Sequence, residues 1–438
     1  MNGIGALFTV VASALLLSLP RRLAAIPLLL GAAYMTRGQV LELGPADFTV
    51  MRILVFVGFV RVLARGEHLA HGKNAVDRIL IWWALTLLAT SAFHVSGSLV
   101  FRAGIVWTDL GCYFLFRIFL QDAEDVERMF KVICAMAVPL ALLMIFEKSA
   151  QQNPFGFLGG VNEVPLSREG QARATGPFAH PILAGTVGAS CFGMACGLWK
   201  RHRTLALMGW FGGAGIVYAC TSSGPILVIL FIILGLMFWP LRRHMRAVRW
   251  LAFCSILALD AIMKDPVYFL MARIDISGGS QGYYRAQLIR SSIESLNEWW
   301  LAGTDYTRHW MASGQHANDS HTDITNHVLA MGVMGGLLLM SIFILLLIVS
   351  FRAAGRALRD NRNLPDRHRF LVWTLGAILF GHVMNFMSIS LFDQSIVFFY
   401  FVLAAIGACQ TGPSAAPEAR RRRHGYRPER PVALLDGS

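Results

Sequence analysis

The sequence predicts an all-α fold: a polytopic transmembrane bundle of about twelve to thirteen helices with two functional extracytoplasmic loops. Three observations lead there. Of 438 residues, 55% are hydrophobic and only 15% charged, with a mean hydropathy of +0.53, whereas soluble domains carry roughly 25% charged residues. Apolar stretches approaching the ~20 residues of a spanning helix recur along nearly the whole chain. Lys and Arg gather in alternate connections between those stretches, as the positive-inside rule requires.

The apolar segments run 3–19, 23–36, 48–64, 79–97, 99–119, 132–147, 181–199, 204–220, 223–239, 250–263, 327–350, 370–390 and 394–409. The second and tenth are short, which leaves twelve as the alternative count. The first lacks a basic n-region and reads as a retained helix, not a cleaved signal. One side of the bundle collects 28 of the 39 Lys and Arg residues, including Arg21, Arg22, Arg242–Arg249 and Arg352–Arg369. That side is expected to be the cytoplasm, with the C-terminus inside. Residues 1–410 form one transmembrane unit, and 411–438, rich in Pro, Ala and Arg, read as a disordered basic cytoplasmic tail. Topology and attraction to anionic lipid account for the net charge of +13, so the run Arg420–Arg423 is not taken as a nucleic-acid site. The expected partner on all sides is the lipid bilayer. All seven cysteines fall in or beside apolar segments without a C-x-x-C pair, and read as small core residues.

Two connections on the opposite side, 148–180 and 264–326, exceed the ~15 residues beyond which loops are usually functional or disordered. The first contains Q-A-R-A-T-G-P-F-A-H-P at 171–181, where Gly176 and two prolines impose a turn before a helix beginning at about Pro181. Arg173 and His180 are thereby held near the membrane surface. The second opens with Arg273, Asp275, Gly278 and Gly279. Tyr284, Leu288, Ser291 and Ser292 then follow a helical spacing, predicting an amphipathic helix at the interface over 281–296. Trp299 and Trp300 form an interfacial aromatic pair. The loop closes with His316, Asp319, His321, Asp323 and His327, and Gly332, Gly335 and Gly336 permit close packing of the helix that follows.

These residues resemble the O-antigen ligase and O-antigen polymerase superfamily of membrane glycosyltransferases, which includes exopolysaccharide polymerases. The resemblance is carried in order by R-A-T-G-P-F-A-H-P-I-L-A-G-T at 173–186, Y-R-A-Q-L-I at 284–289 with A-G-T-D at 302–305, and D-I-T-N-H-V-L-A-M-G-V-M-G-G at 323–336, with S-L-F-D-Q at 390–394 as a weaker fourth piece. It spans the topology of most of the chain but motif identity in a small fraction. Ligases of the family often show His-Asn where this chain has Thr325 and Asn326. The T-N variant is more similar to polysaccharide polymerases, and it leaves open which of His321 and His327 replaces the family's histidine. The resemblance implies a bacterial inner-membrane enzyme without cofactor or metal. Its donor is a glycan linked through pyrophosphate to a polyprenol, and its acceptor is another lipid-linked repeat unit (polymerase) or lipid A core (ligase).

The residues suit that chemistry. Pyrophosphate gains negative charge as the glycosidic bond breaks, and arginine matches phosphate oxygens with a bidentate fork. Arg173 and Arg285 are candidates for this clamp, with Arg290 a third; each charge-assisted hydrogen bond contributes roughly 1.5–3 kcal/mol. Lipid headgroups or loop salt bridges are the alternative use of these arginines. The acceptor hydroxyl must lose a proton, and histidine is the side chain that titrates near neutrality. His321 is the first candidate base and His327 the second. Asp319, Asp323, Asn326 and His180 are candidates for acceptor binding or for orienting the base, although Asp323 also fits a helix N-cap and His180 the end of a turn. The His and Asp spacings match no closed zinc pattern, and no P-loop is present. A transporter is the competing class, because Arg52, Arg61, Arg102, Asp109, Arg117, Asp260 and Asp393 lie in or beside apolar segments; no inverted repeat accompanies them. A membrane scaffold is the third class, and it does not require the histidine-rich 316–327 stretch.

Overall fold

The computed structural model describes residues 1–410 apart from 45, 70, 274–280, 312–317 and 361–364. The basic tail, Asp275, Gly278, Gly279 and His316 lie outside the described residues. In chain order the helices are α1 (Gly3–Ser18), α2 (Ala25–Tyr34), α3 (Val50–Arg65), α4 (Ala75–Thr90) and α5 (Ser98–Phe119). There follow α6 (Ala123–Ala150), α7 (Pro181–Leu198), α8 (Arg203–Cys220), α9 (Ser223–Met237) and α10 (Met245–Ile262). The last five are α11 (Gly282–Glu294), α12 (Leu296–Trp299), α13 (His327–Asp360), α14 (Asp366–Asn385) and α15 (Ile396–Ala408). Two small antiparallel hairpins, β1 (Val40–Leu43) with β2 (Ala46–Thr49) and β3 (Leu166–Arg168) with β4 (Gln171–Arg173), make up the strand content among the described residues.

Each of the thirteen apolar segments coincides with a helix, and the amphipathic stretch of the second long connection is α11. Four helices, α4, α6, α10 and α14, begin four or more residues ahead of their apolar windows, and at two of them the cap shows why. Asn74 and Asp77 form a capping box at the start of α4, and Asp122 accepts from the Glu124 and Asp125 N–H groups at the start of α6, so polar first turns extend both. Among the described residues, five helices are long and apolar enough to cross a membrane: Ala75–Phe93, Ser98–Phe119, Ala123–Ala150, Pro181–Leu198 and His327–Asp360. The apolar helices α1, α9 and α15 have 16, 15 and 13 residues. At 1.5 Å per residue the last covers about 20 Å of a ~30 Å hydrocarbon core. Large apolar side chains such as Leu63, Phe211 and Ile262 face outward, 76–83% exposed, a surface that suits hydrocarbon and not water.

Every residue of α15 is buried, with α2, α5, α6, α13 and α14 packed around it. Against this centre α6, α7 and α8 approach closely through small residues: Gly212 lies on the Ala137 backbone and Gly213 on the Gly188 carbonyl. The long α13 is interrupted at Gly335 and Gly336, whose backbone leaves the helical region. Gly336, at φ 74° and ψ −173°, occupies a conformation open essentially to glycine alone. The interruption receives the segment after α12: Leu337 N–H donates to the Trp300 carbonyl at 2.8 Å and Thr304 N–H to that of Val333 at 2.9 Å. The Trp299 ring covers Gly332. Gly332 and Gly336 therefore seat this loop, while Gly335 meets Thr90 of α4.

Candidate active site

The arginine-bearing turn of the first long connection is fixed from several directions. Ala174 N–H donates to the Ala219 carbonyl at the end of α8. The Thr175 and Gly176 N–H groups donate to the Glu147 carboxylate at 2.9 and 2.8 Å, and Asn153 Nδ2 donates to the Gly176 carbonyl at 3.0 Å. Gly176 takes φ 57° with Met144 packed where a Cβ would stand. On the far side Ala179 N–H donates to Asp393 Oδ2 at 2.9 Å and Gln394 Nε2 to the Pro177 carbonyl at 2.8 Å. The first and fourth sequence motifs thus meet directly.

This frame holds a cluster of cations. In the β3–β4 hairpin Arg168 pairs with Gln171 and Leu166 with Arg173, so side-chain alternation puts Arg168 and Arg173 on one face. Arg285 of α11 and His180, the N-cap of α7, complete the group. Burial, then Arg168 and Arg173, opposed by Asp323, bring the Arg285 guanidinium down to about 10. Burial followed by Arg168 lowers Arg173, opposed by Cys220. His180 falls to about 4 through burial first and then Arg173, Arg168 and Arg285. At neutral pH Arg285 is therefore charged and His180 is neutral. Ile182 N–H donates to its Nδ1 at 3.2 Å, which leaves the proton on Nε2. Arg173 is 6% exposed, yet its Nε and Nη2 have no hydrogen-bond acceptor among the described residues, and neither has Arg285 Nε. Asp323 faces Arg285, its own acid raised by burial and lowered by that arginine, but no ion pair to any of the three arginines forms among the described residues. Buried charge left unpaired is costly, and the positive end of the α7 dipole adds to the same field. An anion is the ligand this arrangement fits.

Beside it lies a histidine–carboxylate group. Tyr284, next to Arg285 on α11, donates to the Asp323 carbonyl at 2.8 Å and lies 3.0 Å from Thr322 Oγ1, docking the 321–323 segment on that helix. Asn318 Oδ1 accepts from His321 N–H at 2.7 Å, and His321 Nδ1 lies 3.2 Å from Thr307 Oγ1. His321 is lowered by burial, against Asp305, with His94 adding to the fall. Asp305 itself is anchored: His94 Nδ1 lies 2.6 Å from its Oδ1, and Val95 N–H donates to its Oδ2 at 2.8 Å. The neighbours that perturb His321 are Asp305 and His94 and not the arginines, so two adjacent groups exist where the sequence suggests one.

The remaining candidates lie elsewhere. Arg290 is exposed and pairs with Glu294 at 3.1 Å, one turn along α11, so it stands outside the cation cluster. Asp319 is exposed in the loop. Asn326, and not Asp323, caps α13, its Oδ1 accepting from Leu329 N–H at 3.0 Å. His327 is 3% exposed, between the Phe343 and Phe386 rings. Its Nδ1 accepts from Leu391 N–H at 3.2 Å, and it lines a separate cavity of about 250 Å³ within the helices. Sequence reading missed Arg168 and His94, and took in Asp305 only as the end of the A-G-T-D motif without a role. Only the strand register reveals the first, and the other two meet across 211 positions.

No family model and no curated protein matches this chain.

Proposed function

We propose that this chain is a polytopic membrane glycosyltransferase that moves a polyprenyl-pyrophosphate-linked glycan onto an acceptor sugar hydroxyl on the extracytoplasmic side, polymerising exopolysaccharide or O-antigen repeat units. The observation that carries this reading is the group Arg168, Arg173 and Arg285, in which buried N–H groups of Arg173 and Arg285 lack acceptors among the described residues. The motif order and the T-N pair at Thr325–Asn326 favour polymerase over ligase. In this reading the enzyme lies in a bacterial inner membrane with its C-terminus in the cytoplasm, consistent with the Lys and Arg distribution.

The acceptor hydroxyl oxygen attacks the anomeric carbon and the bond from that carbon to the pyrophosphate oxygen breaks. The hydroxyl proton passes to His321 Nε2, available when Nδ1–H is donated to Thr307. The arginines take up the charge gathering on the leaving pyrophosphate. Neither a metal nor a cofactor enters this scheme.

The test is the chain-length profile of surface polysaccharide and of its lipid-linked precursors in a deletion strain carrying wild type, Arg285→Ala or His321→Ala. Accumulation of single lipid-linked repeat units, with long chains restored by wild type alone, supports polymerisation. Long polymer left on the carrier and unattached indicates ligation. No change in either overturns the glycan reading.

Transport is the second reading, favoured by Arg52, Asp109 and Asp393 lining one interior cavity. The other intramembrane charges have structural partners: Arg61 pairs with Glu67 at 2.7 Å, Arg117 with Asp77 at 3.3 Å, and Arg102 donates to Thr90 at 3.0 Å.

A further inference from the structure

The interior cavity of about 250 Å³ shares no lining residue with the arginine cluster. Its volume equals roughly eight liquid waters at ~30 Å³ each, below the ~300 Å³ at which pockets for drug-sized molecules begin. Its wall carries two buried acceptors, Gln394 and Asp109. Gln394, 5% exposed, uses Nε2 to hold the Met35 and Pro177 carbonyls, while its Oε1 has no partner among the described residues. Asp109, 5% exposed, receives the Tyr400 hydroxyl and forms no ion pair among the described residues. Arg37 and Arg52, both more exposed than these acceptors, supply charged donors, and Trp83 and Phe101 supply flat apolar walls. A ligand that fits must bring hydrogen-bond donors to Gln394 and Asp109, accept from guanidinium, and lay an apolar face on a ring. A sugar does all three. The cavity also adjoins the cation cluster, because Asp393 and Gln394 in its wall are the residues that hold Pro177 and Ala179, immediately before His180.

We propose that this cavity is a glycan subsite taking one hexose-sized, hydroxyl-bearing group. Resting on the transferase reading, that group is the acceptor sugar, in a cavity whose wall residues Asp393 and Gln394 brace the 177–179 segment ahead of His180.

The experiment is calorimetric titration of the full chain in lipid nanodiscs with octyl β-glucoside, β-galactoside and β-mannoside below their micelle concentrations, with octanol as the chain-only control. At least one glycoside binds saturably. Asp109→Asn and Ala330→Leu, the latter filling the cavity, each weaken it tenfold or more, and Arg285→Ala leaves it unchanged. Equal affinity for octanol, indifference to both cavity variants, or loss of binding in a folded Arg285→Ala protein would each overturn the proposal. Glycoside binding intact in a protein that accumulates no precursor when Arg285 is changed would contradict the transferase reading while upholding the subsite.

Discussion

Arg173 shows what a single side chain implies when its surroundings do not satisfy it. A guanidinium 6% exposed, without acceptors for Nε and Nη2 and with Arg168 and Arg285 in its field, costs stability in the unliganded protein. Arg173→Met is therefore expected to leave the melting temperature unchanged or raise it, while transfer falls by about 10- to 150-fold, the equivalent of one charge-assisted hydrogen bond of 1.5–3 kcal/mol. Arg285→Lys keeps the charge but loses the fork, and falls between wild type and Arg285→Ala; wild-type kinetics in the Lys variant would contradict bidentate recognition. His180 carries a pH prediction. Its folded value of about 4 lies below the ordinary histidine value, so the unfolded chain binds more protons between those limits. Stability is complete above about pH 6.5 and declines as pH falls toward 4, by up to about 3 kcal/mol. Acid unfolding curves of His180→Asn, which keeps an N-cap acceptor, should lose that slope.

At the scale of elements, the turn that carries Arg173 depends on α6 as much as on its own residues. The Glu147 carboxylate takes two backbone N–H groups of that turn, so Glu147→Gln turns an amide N–H₂ toward one of them and is expected to cost about 1–3 kcal/mol in thermal unfolding. Gly336→Ala forces a side chain into a glycine-only conformation against the Leu301 carbonyl, and should release the loop seated there at a similar cost. An unchanged melting temperature in either variant would contradict its assigned role. The helices were legible because apolar runs report directly on burial or lipid contact. Their polar first turns were not, since Asp122 and Glu124 read as loop until a cap is known. Arg168 escaped notice because only the register, Leu166 opposite Arg173, turns it toward the cluster. His327 stood out among polar neighbours, yet its partners are the rings of Phe343 and Phe386, distant in sequence and invisible to a local reading.

For the molecule as a whole, all thirteen apolar segments recur as helices, but five meet the length and apolarity of a span among the described residues. In the proposed orientation, argued from the alternation of Lys and Arg, the connections holding residues 169 and 319 lie outside and those holding 243 and 366 inside. Cysteines introduced at these positions, in a chain freed of its native ones, should react with an impermeant maleimide in intact cells at 169 and 319 only; labelling of 243 or 366 would reverse the orientation. Long-range convergence was the least legible level, because His94 and Asp305 or Ala179 and Asp393 meet only through the packing of the whole bundle. The most direct test of the central claim is equilibrium binding of undecaprenyl pyrophosphate to the purified full chain, compared with undecaprenol and with an Arg168→Ala, Arg173→Ala, Arg285→Ala variant. Pyrophosphate should bind wild type at least tenfold more tightly than the alcohol, and the triple variant should lose that difference. Equal binding of both lipids to wild type, or a preference that survives the triple change, would contradict it.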